Sequence, residues 1–372
     1  MKKEQKTLGI IAAPGLAKKI ADTLIETLPT EINKALNENI KWNIETTEDS
    51  LTGSAETIEE LFSGLETHVE NENWDYYIAL TDLPIYHENK VVAIDINEDN
   101  GASLISIPSF GWRPIKHRIE KTIVSLIKEV PKLKKGKSNS EKSMNSKILR
   151  GQFPLATLRL LKTKIKEDQA THTRLVIVPK VNGTLRLLVG MTFANNPLNM
   201  MSSLSNVIAI AFTTGAFGII FTTMWQLSQV FSVLRLLSTT FVAIFGMVLW
   251  IIVAHSLWET SKSSKNKKIT RLYNYTTVST LLVSVTFYYL LLYLLFLFVS
   301  LVVLPSEFLG EILKLGKPAS LTLYIKISWF AASISTVAGA IGAGLSNEEL
   351  VRESTYGYRQ KQRYRLKKKK AN

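Results

Sequence analysis

The chain has 372 residues, with 45 lysines and arginines against 31 aspartates and glutamates, a formal charge of +14, and no cysteine. A hydrophobic share of 46% excludes a disordered polymer, and the missing cysteines exclude a disulfide scaffold and any metal site built on thiolates. The charge is unevenly spread: residues 1–100 hold 20 acidic and 8 basic side chains, which leaves 11 acidic and 37 basic for the remainder.

The first segment, LGIIAA, reads as a buried strand that ends at a Pro14-Gly15 turn. A helix follows, with Leu16, Ile20, Leu24 and Leu28 on one face, and residues 40–45 form a second strand. Thr57 and Glu60 have the spacing of a capping box, ahead of a helix whose core face is Ile58, Leu61, Phe62, Leu65 and Val69. WDYYIALTDLPIY supplies a strongly apolar strand ending at Asp82. VVAIDI and ASLISIPSF are two more strands joined through Asn100-Gly101, a hairpin signal. Residues 114–130 carry Ile115, Ile119, Ile123, Leu126, Ile127 and Val130 at helical spacing. This βαβαβββα order predicts an α/β (or α+β) cytosolic domain over residues 1–130.

Residues 131–149 lack periodicity and are rich in lysine and serine, the composition of a flexible basic linker. Within residues 150–200, a basic helix is predicted over 154–167. RLVIVPKV and TLRLLVGMTF are expected to be two strands turning at Asn182-Gly183. This membrane-proximal helix plus hairpin either pairs with the N-terminal sheet or stands as a separate module; the sequence leaves both open and favours the former, because an isolated hairpin is marginal in water.

Four apolar stretches follow, at 204–225, 234–255, 276–304 and 321–345. Each reaches the roughly 20 residues that an α-helix needs to cross a bilayer, so an all-α transmembrane bundle of four helices is predicted over 204–345. Lysines and arginines concentrate in the connection between the second and third stretches and in the tail, residues 346–372. The positive-inside rule therefore puts both termini in the cytoplasm of a plasma-membrane protein. The opening MKKEQKTLGIIAAPG has no secretory-signal pattern. In the tail, Arg359, Arg363, Arg365, Lys367, Lys368, Lys369 and Lys370 are expected to lie on anionic headgroups, so the partner is the lipid bilayer and no nucleic acid is expected. Ala331, Ser335, Gly339 and Ala343 recur every four residues, a stripe for close helix packing within the bundle or in a homodimer through the fourth helix.

For chemistry, Asp82 ends a strand, His87 follows in a short loop and Asp95 lies in the next strand, a set suited to acid–base work or to a hard cation. AAPGLAKK opens a helix as a phosphate loop does, yet matches neither glycine-rich fingerprint, and no cofactor is expected. The strand–hairpin–helix order around IALTDLPIY distantly resembles the archaemetzincin branch of zinc metalloproteases. That resemblance implies a zinc helix, but the helix here reads KHRIEKTIVSLIKEV, with His117 and Glu120 three apart and Lys121 where the inverted motif needs histidine. As a whole, through WDYYIALTDLP, GTLRLLVGM and WIIVAHSLWE, the chain resembles uncharacterised multi-pass membrane proteins of Gram-positive bacteria that join a cytosolic α/β region to four helices. This resemblance implies an architecture and no activity. The expectation is a membrane protein with a non-enzymatic ligand- or protein-binding domain, and an envelope-related role is one reading of it. The alternatives are a membrane-tethered hydrolase using Asp82, His87 and Asp95, and a permeation pathway through the helices.

Overall fold

The computed structural model describes residues 5–36, 40–49, 58–112, 114–134, 149, 151–164, 170–198, 200, 205–260, 267–343, 352, 355, 356, 358, 359 and 362. These divide into two compact units, one built by the chain up to Ala194 and the other by Asn195–Arg359.

The first unit begins with β1 (Gln5–Ala12), whose last five residues are all buried, as expected of a strand covered on both faces. The single amphipathic helix anticipated after it is two: α1 (Leu16–Leu24) and α2 (Leu28–Leu36). Pro29 lies in the first turn of α2, where its missing N–H costs nothing, and so marks a restart. Next come β2 (Lys41–Glu48), α3 (Ile58–Asn71), β3 (Tyr76–Thr81), β4 (Tyr86–His87), β5 (Lys90–Asn97) and β6 (Ser103–Ser106). A 3₁₀ turn (Ile107–Phe110), α4 (Ile115–Lys134), β7 (Thr157–Lys164), β8 (Thr171–Val178) and α5 (Lys180–Ala194) complete the unit. Thr57 of the expected capping box and residues 135–148 of the expected linker lie outside the described residues, while 131–134 continue α4.

One eight-stranded sheet runs β2-β1-β3-β6-β5-β8-β7, with β4 paired to β5. The β2-β1-β3-β6 half is parallel and the β6-β5-β8-β7 half antiparallel. Apolar residues of α3 (Ile58, Leu61, Phe62 and Leu65) pack on Ile11, Ala79, Leu104, Val92 and Val176. Gly183 of α5 lies against Ile177 and Val91, which alternate with Val176 and Val92, so α5 covers the opposite face.

Two expectations for residues 150–200 are corrected. Residues 157–164, read as part of a helix, form β7, pairing with β8 in unbroken register from Thr157↔Val178 to Lys164↔Thr171. TLRLLKTK alternates well enough to serve as an edge strand, and its lysines blunt that edge against further pairing. TLRLLVGMTF, read as a strand, forms most of α5. Its buried residues Gly183, Leu187, Gly190, Met191 and Ala194 have helical spacing. Gly190 permits close packing, since a Cβ there would sit 2.1 Å from the carbonyl oxygen of Pro108. The segment 150–200 is thus two sheet strands and a helix covering the sheet.

The second unit is helical: α6 (Ser205–Ile220), α7 (Thr222–Val230), α8 (Val233–Ala254), α9 (Lys267–Val303), α10 (Ser306–Ile312) and α11 (Leu321–Ala343). Helices α8, α9 and α11 are long and apolar enough to cross a membrane. The first expected span is not one straight helix, because α6 and α7 meet at 85° around Phe221, so the bundle offers three crossings, or four if the bent pair is one. Large apolar side chains face outward, among them Phe241, Phe245, Leu249, Leu294, Phe298 and Leu301. Hydroxyls face inward: Trp329 donates to Thr240 Oγ1 (2.7 Å), which lies 3.0 Å from Tyr289 OH, itself 2.9 Å from Ser333 Oγ. An apolar exterior around a hydrogen-bonded interior suits a lipid solvent.

The small-residue stripe packs inside this bundle. A Cβ on Gly339 would lie 2.4 Å from Tyr288 OH and 3.0 Å from Ala211 Cβ, and one on Gly215 of α6 would lie 2.1 Å from Ser335 Oγ. Ala331 and Ser335 are fully buried by the chain's own helices. These three stripe residues are thus packed by the chain's own helices, as the bundle reading of the stripe expects. Lys326 donates to the carbonyl oxygen of Phe231 (2.9 Å), at the C-terminal end of α7.

Candidate functional site

Two of the three proposed site residues meet inside the antiparallel half of the sheet. Asp95 of β5 stands directly opposite Arg174 of β8, and His172 lies two residues earlier on the same face. The Asp95 carboxylate accepts from Arg174 Nε at 2.8 Å through Oδ2 and from His172 Nδ1 at 3.0 Å through Oδ1. Arg174 Nη1 then donates to His87 Nδ1 at 2.8 Å, which places the proton of neutral His87 on Nε2. His87 sits on β4, beside a tight turn whose residues Glu88 and Asn89 both have positive φ. Phe62 of α3 meets the His172 ring edge-on, with centroids 4.6 Å apart.

The electrostatics follow from burial. Asp95 and His172 are fully buried and Arg174 nearly so, so the carboxylate and guanidinium compensate each other within the sheet. Partial burial, and next the guanidinium of Arg174, hold the His87 imidazole below its ordinary pKa. Burial pushes the neighbouring Tyr86 hydroxyl up to about 12. On the following turn, Glu98 takes Lys162 at 3.1 Å and the Thr173 hydroxyl. This network ties strands together. Both oxygens of Asp95 are committed to it, and solvent does not reach them.

Asp82 stands apart, one residue past the end of β3 and buried at the carboxyl edge of the parallel strands. Among the described residues, no group of three or more histidines, aspartates or glutamates could hold a metal ion, so Asp82, His87 and Asp95 make no metal centre. β1 leads to β2 on one side and has β3 on the other, and such a reversal of strand order is where open α/β sheets bind ligands. His68 of α3 and Asp49, just past β2, form a partly exposed pair here (Nε2 to Oδ2, 2.9 Å). The AAPG turn also opens here, with Gly15 at φ 91°, but Lys18 reaches Asp22 (2.8 Å) and Thr46 (3.0 Å) rather than the turn. Neither His68–Asp49 nor His172–Arg174 was singled out from sequence. A histidine and an arginine alternating at the start of the strand THTRLVIV were the available signal for the latter.

The helix that carries His117 and Glu120 is α4. His117 Nδ1 lies 3.5 Å from Glu120, as an i,i+3 pair. Glu120 is buried and accepts a hydrogen bond from the hydroxyl of Thr27. In the tail, Arg359 was expected on lipid; it donates to Asn195 Oδ1 (2.5 Å) and stacks on Tyr356 at 4.6 Å. Tyr356 is buried and stacks with Tyr273. Arg363, Arg365 and Lys367 to Lys370 lie outside the described residues.

Fold and sequence together define a class: a multi-pass membrane architecture of three to four apolar helices, joined to a mixed α/β sheet domain. Comparison with known proteins returns no match to a family model, a curated protein or a solved structure, so the two family resemblances drawn from sequence gain no support.

Proposed function

We propose that the chain is a plasma-membrane protein whose sheet domain is a cytoplasmic binding module without chemistry of its own. The observation that carries this reading is the closed state of Asp95, whose carboxylate is spent on Arg174 and His172 with no solvent access. A general base or nucleophile must reach its substrate, and Asp95 reaches only its own strands. The reversal of strand order between β1 and β3 supports a ligand seat at the carboxyl edge instead.

In this reading α6 is a full crossing and α7 lies along the far surface. Two observations support it. The buried residues Val207, Ala211, Gly215 and Ile219 recur every four positions along α6. In addition, Ala211 meets Gly339 while Gly215 meets Ser335, so α6 runs antiparallel to α11. Four crossings then put the sheet domain, the lysine-rich α8–α9 connection and the tail on one side, as the positive-inside rule asks.

The natural lack of cysteine makes the test clean. Single cysteines at Lys41, in the domain, and Lys314, between α10 and α11, are to be labelled in intact cells with a membrane-impermeant maleimide. Lys314→Cys should label and Lys41→Cys should need permeabilisation; labelling of both, or of Lys41→Cys alone, would overturn the topology. In parallel, the purified full chain should show no ester or phosphoester turnover that His68→Ala or Asp82→Ala abolishes. Such turnover would replace the binding reading with a hydrolase.

A further inference from the structure

Away from the strand network, two arginines converge without a counter-ion. Arg118, in the first turn of α4, donates through Nη1 to the carbonyl oxygens of Phe110 (2.9 Å) and Trp112 (3.3 Å). Arg186 of α5 donates through Nη1 to the same Phe110 oxygen (3.2 Å) and through Nη2 to the carbonyl of Pro154. Among the described residues neither guanidinium has a carboxylate partner, and the Nε of Arg186 is buried with no acceptor. Burial holds both arginines below their ordinary range, and the charge of Arg118 adds to the effect on Arg186. Two cations around one neutral oxygen repel each other, and an anion beside them would relieve that repulsion.

The surroundings fit a phosphate. The first turn of α4 contains no acidic residue, so its N–H groups and dipole add to the positive field, and exposed Lys116 stands beside them. Trp112 is 55% exposed and stacks face to face on Phe193 (4.5 Å, 8° between planes), while Arg186 stacks on Phe153. Phe193 is next to the last residue of α5, and the chain runs from there to the apolar α6 at Ser205. Exposed indoles are enriched at headgroup depth in membrane proteins.

We propose that Arg118, Arg186 and the first turn of α4 form a seat for a phosphate group, with the Trp112–Phe193 pair against its apolar side. The chemistry is shared by an anionic lipid headgroup and a soluble phosphate. The inference deepens the binding reading above and rests on it. The two tests nevertheless fail separately, because labelling reports crossings whereas the measurement below reports only α4.

The test is hydrogen–deuterium exchange of the full chain in dodecylmaltoside micelles, followed in the peptide covering residues 112–120. Dihexanoyl phosphatidic acid, dihexanoyl phosphatidylcholine and inorganic phosphate are added separately. Phosphatidic acid should slow exchange there severalfold and phosphatidylcholine should not. Equal slowing by inorganic phosphate would keep the seat and assign it to a soluble phosphate. Arg118→Gln and Arg186→Gln should abolish the effect, and Arg118→Lys should retain part of it. Arg186 also bridges two carbonyls, so Arg118→Gln, which leaves that bridge in place, is the decisive variant if Arg186→Gln misfolds. No slowing by either phosphate, or slowing that survives in Arg118→Gln, would overturn the proposal.

Discussion

Replacing Asp95 by alanine separates a structural ion pair from a functional one. The substitution removes the carboxylate bonded to Arg174 and leaves a guanidinium that is 3% exposed between the sheet and α3. At an effective dielectric of about 20, unit charges about 3 Å apart attract by roughly 5 kcal/mol. Desolvation of both ions offsets most of this in the native protein, but the variant keeps the cost for Arg174 without the attraction. Losing one partner of a buried pair costs about 3–5 kcal/mol. For a domain of this size, each kcal/mol moves the midpoint by about 2–4 °C, so a fall of roughly 6–20 °C is expected. The surface pair of Lys162 and Glu98, with the lysine half exposed, is the internal control, and Lys162→Ala should cost at most about 1 kcal/mol.

Thermal unfolding of the full chain in detergent, read with exchange rates of the β5 and β8 amides, measures both effects. The double variant Asp95→Leu/Arg174→Met removes both charges and should recover at least half of the loss, because well-packed apolar residues commonly equal a buried pair. The remainder belongs to His172, which loses its Asp95 acceptor. If Asp95→Ala melts within about 2 °C of the native protein, or if the double variant is no better than the single one, the electrostatic account is wrong.

Two further outcomes are expected. His87 is neutral in the folded domain and its folded pKa lies below the unfolded value near 6.5, so its contribution to stability is complete above about pH 6.5. As the pH falls below that point the unfolded chain takes up the proton first and stability declines; His87→Gln should flatten this acid slope in melts between pH 7.5 and 5, and an unchanged slope would contradict it. In the bundle, Gly215→Leu would drive a side chain into Ser335 and Phe296, 2.1 and 2.2 Å from the new Cβ, and should cost at least about 1–3 kcal/mol in detergent melts; an unaltered midpoint would show that α6 does not pack there.

The elements read best from sequence were those whose apolar pattern had one interpretation. β1, β3, β5 and α3 are found near their expected places because their runs are long and bounded by turn residues. The failures cluster at 154–193, where both errors have one cause. TLRLLKTK and TLRLLVGMTF open with the same five residues, and what separates them is tertiary: the first pairs with β8, the second lays Leu187, Gly190 and Met191 on the 3₁₀ turn and the sheet. The bend at Phe221 was illegible for another reason. Hydropathy integrates over about 20 residues, and FTTMW at the end of the 204–225 stretch is apolar enough to pass as a continuation. The site was half legible. His87 and Asp95 drew attention as polar groups near a strand, but their link, Arg174, lies 79 residues further on than Asp95, in a strand whose pairing nothing local announces.

That link explains why an ion pair stands in an otherwise apolar sheet. The β5–β8 pairing is irregular between Val92 and Ile94, so the two strands are already out of simple register three residues from Asp95. Valine, isoleucine and leucine dominate both strands and tolerate exchange with one another, so apolar packing alone discriminates weakly between adjacent registers. A slip of one residue turns Arg174 to the face covered by α5 and leaves Asp95 stranded under α3. By the same reckoning that applies to Asp95→Ala, this alternative is disfavoured by about 3–5 kcal/mol, far more than a methyl-for-methyl mismatch would supply. The pair contributes to the choice of structure more than to its stability. It also holds His87, and with it the β4 hairpin, at a fixed place on the sheet. The double variant should therefore regain at least half of the stability lost in Asp95→Ala, yet exchange its β5 and β8 amides in more than one kinetic phase. A single slow phase would mean that the bulge alone sets the register.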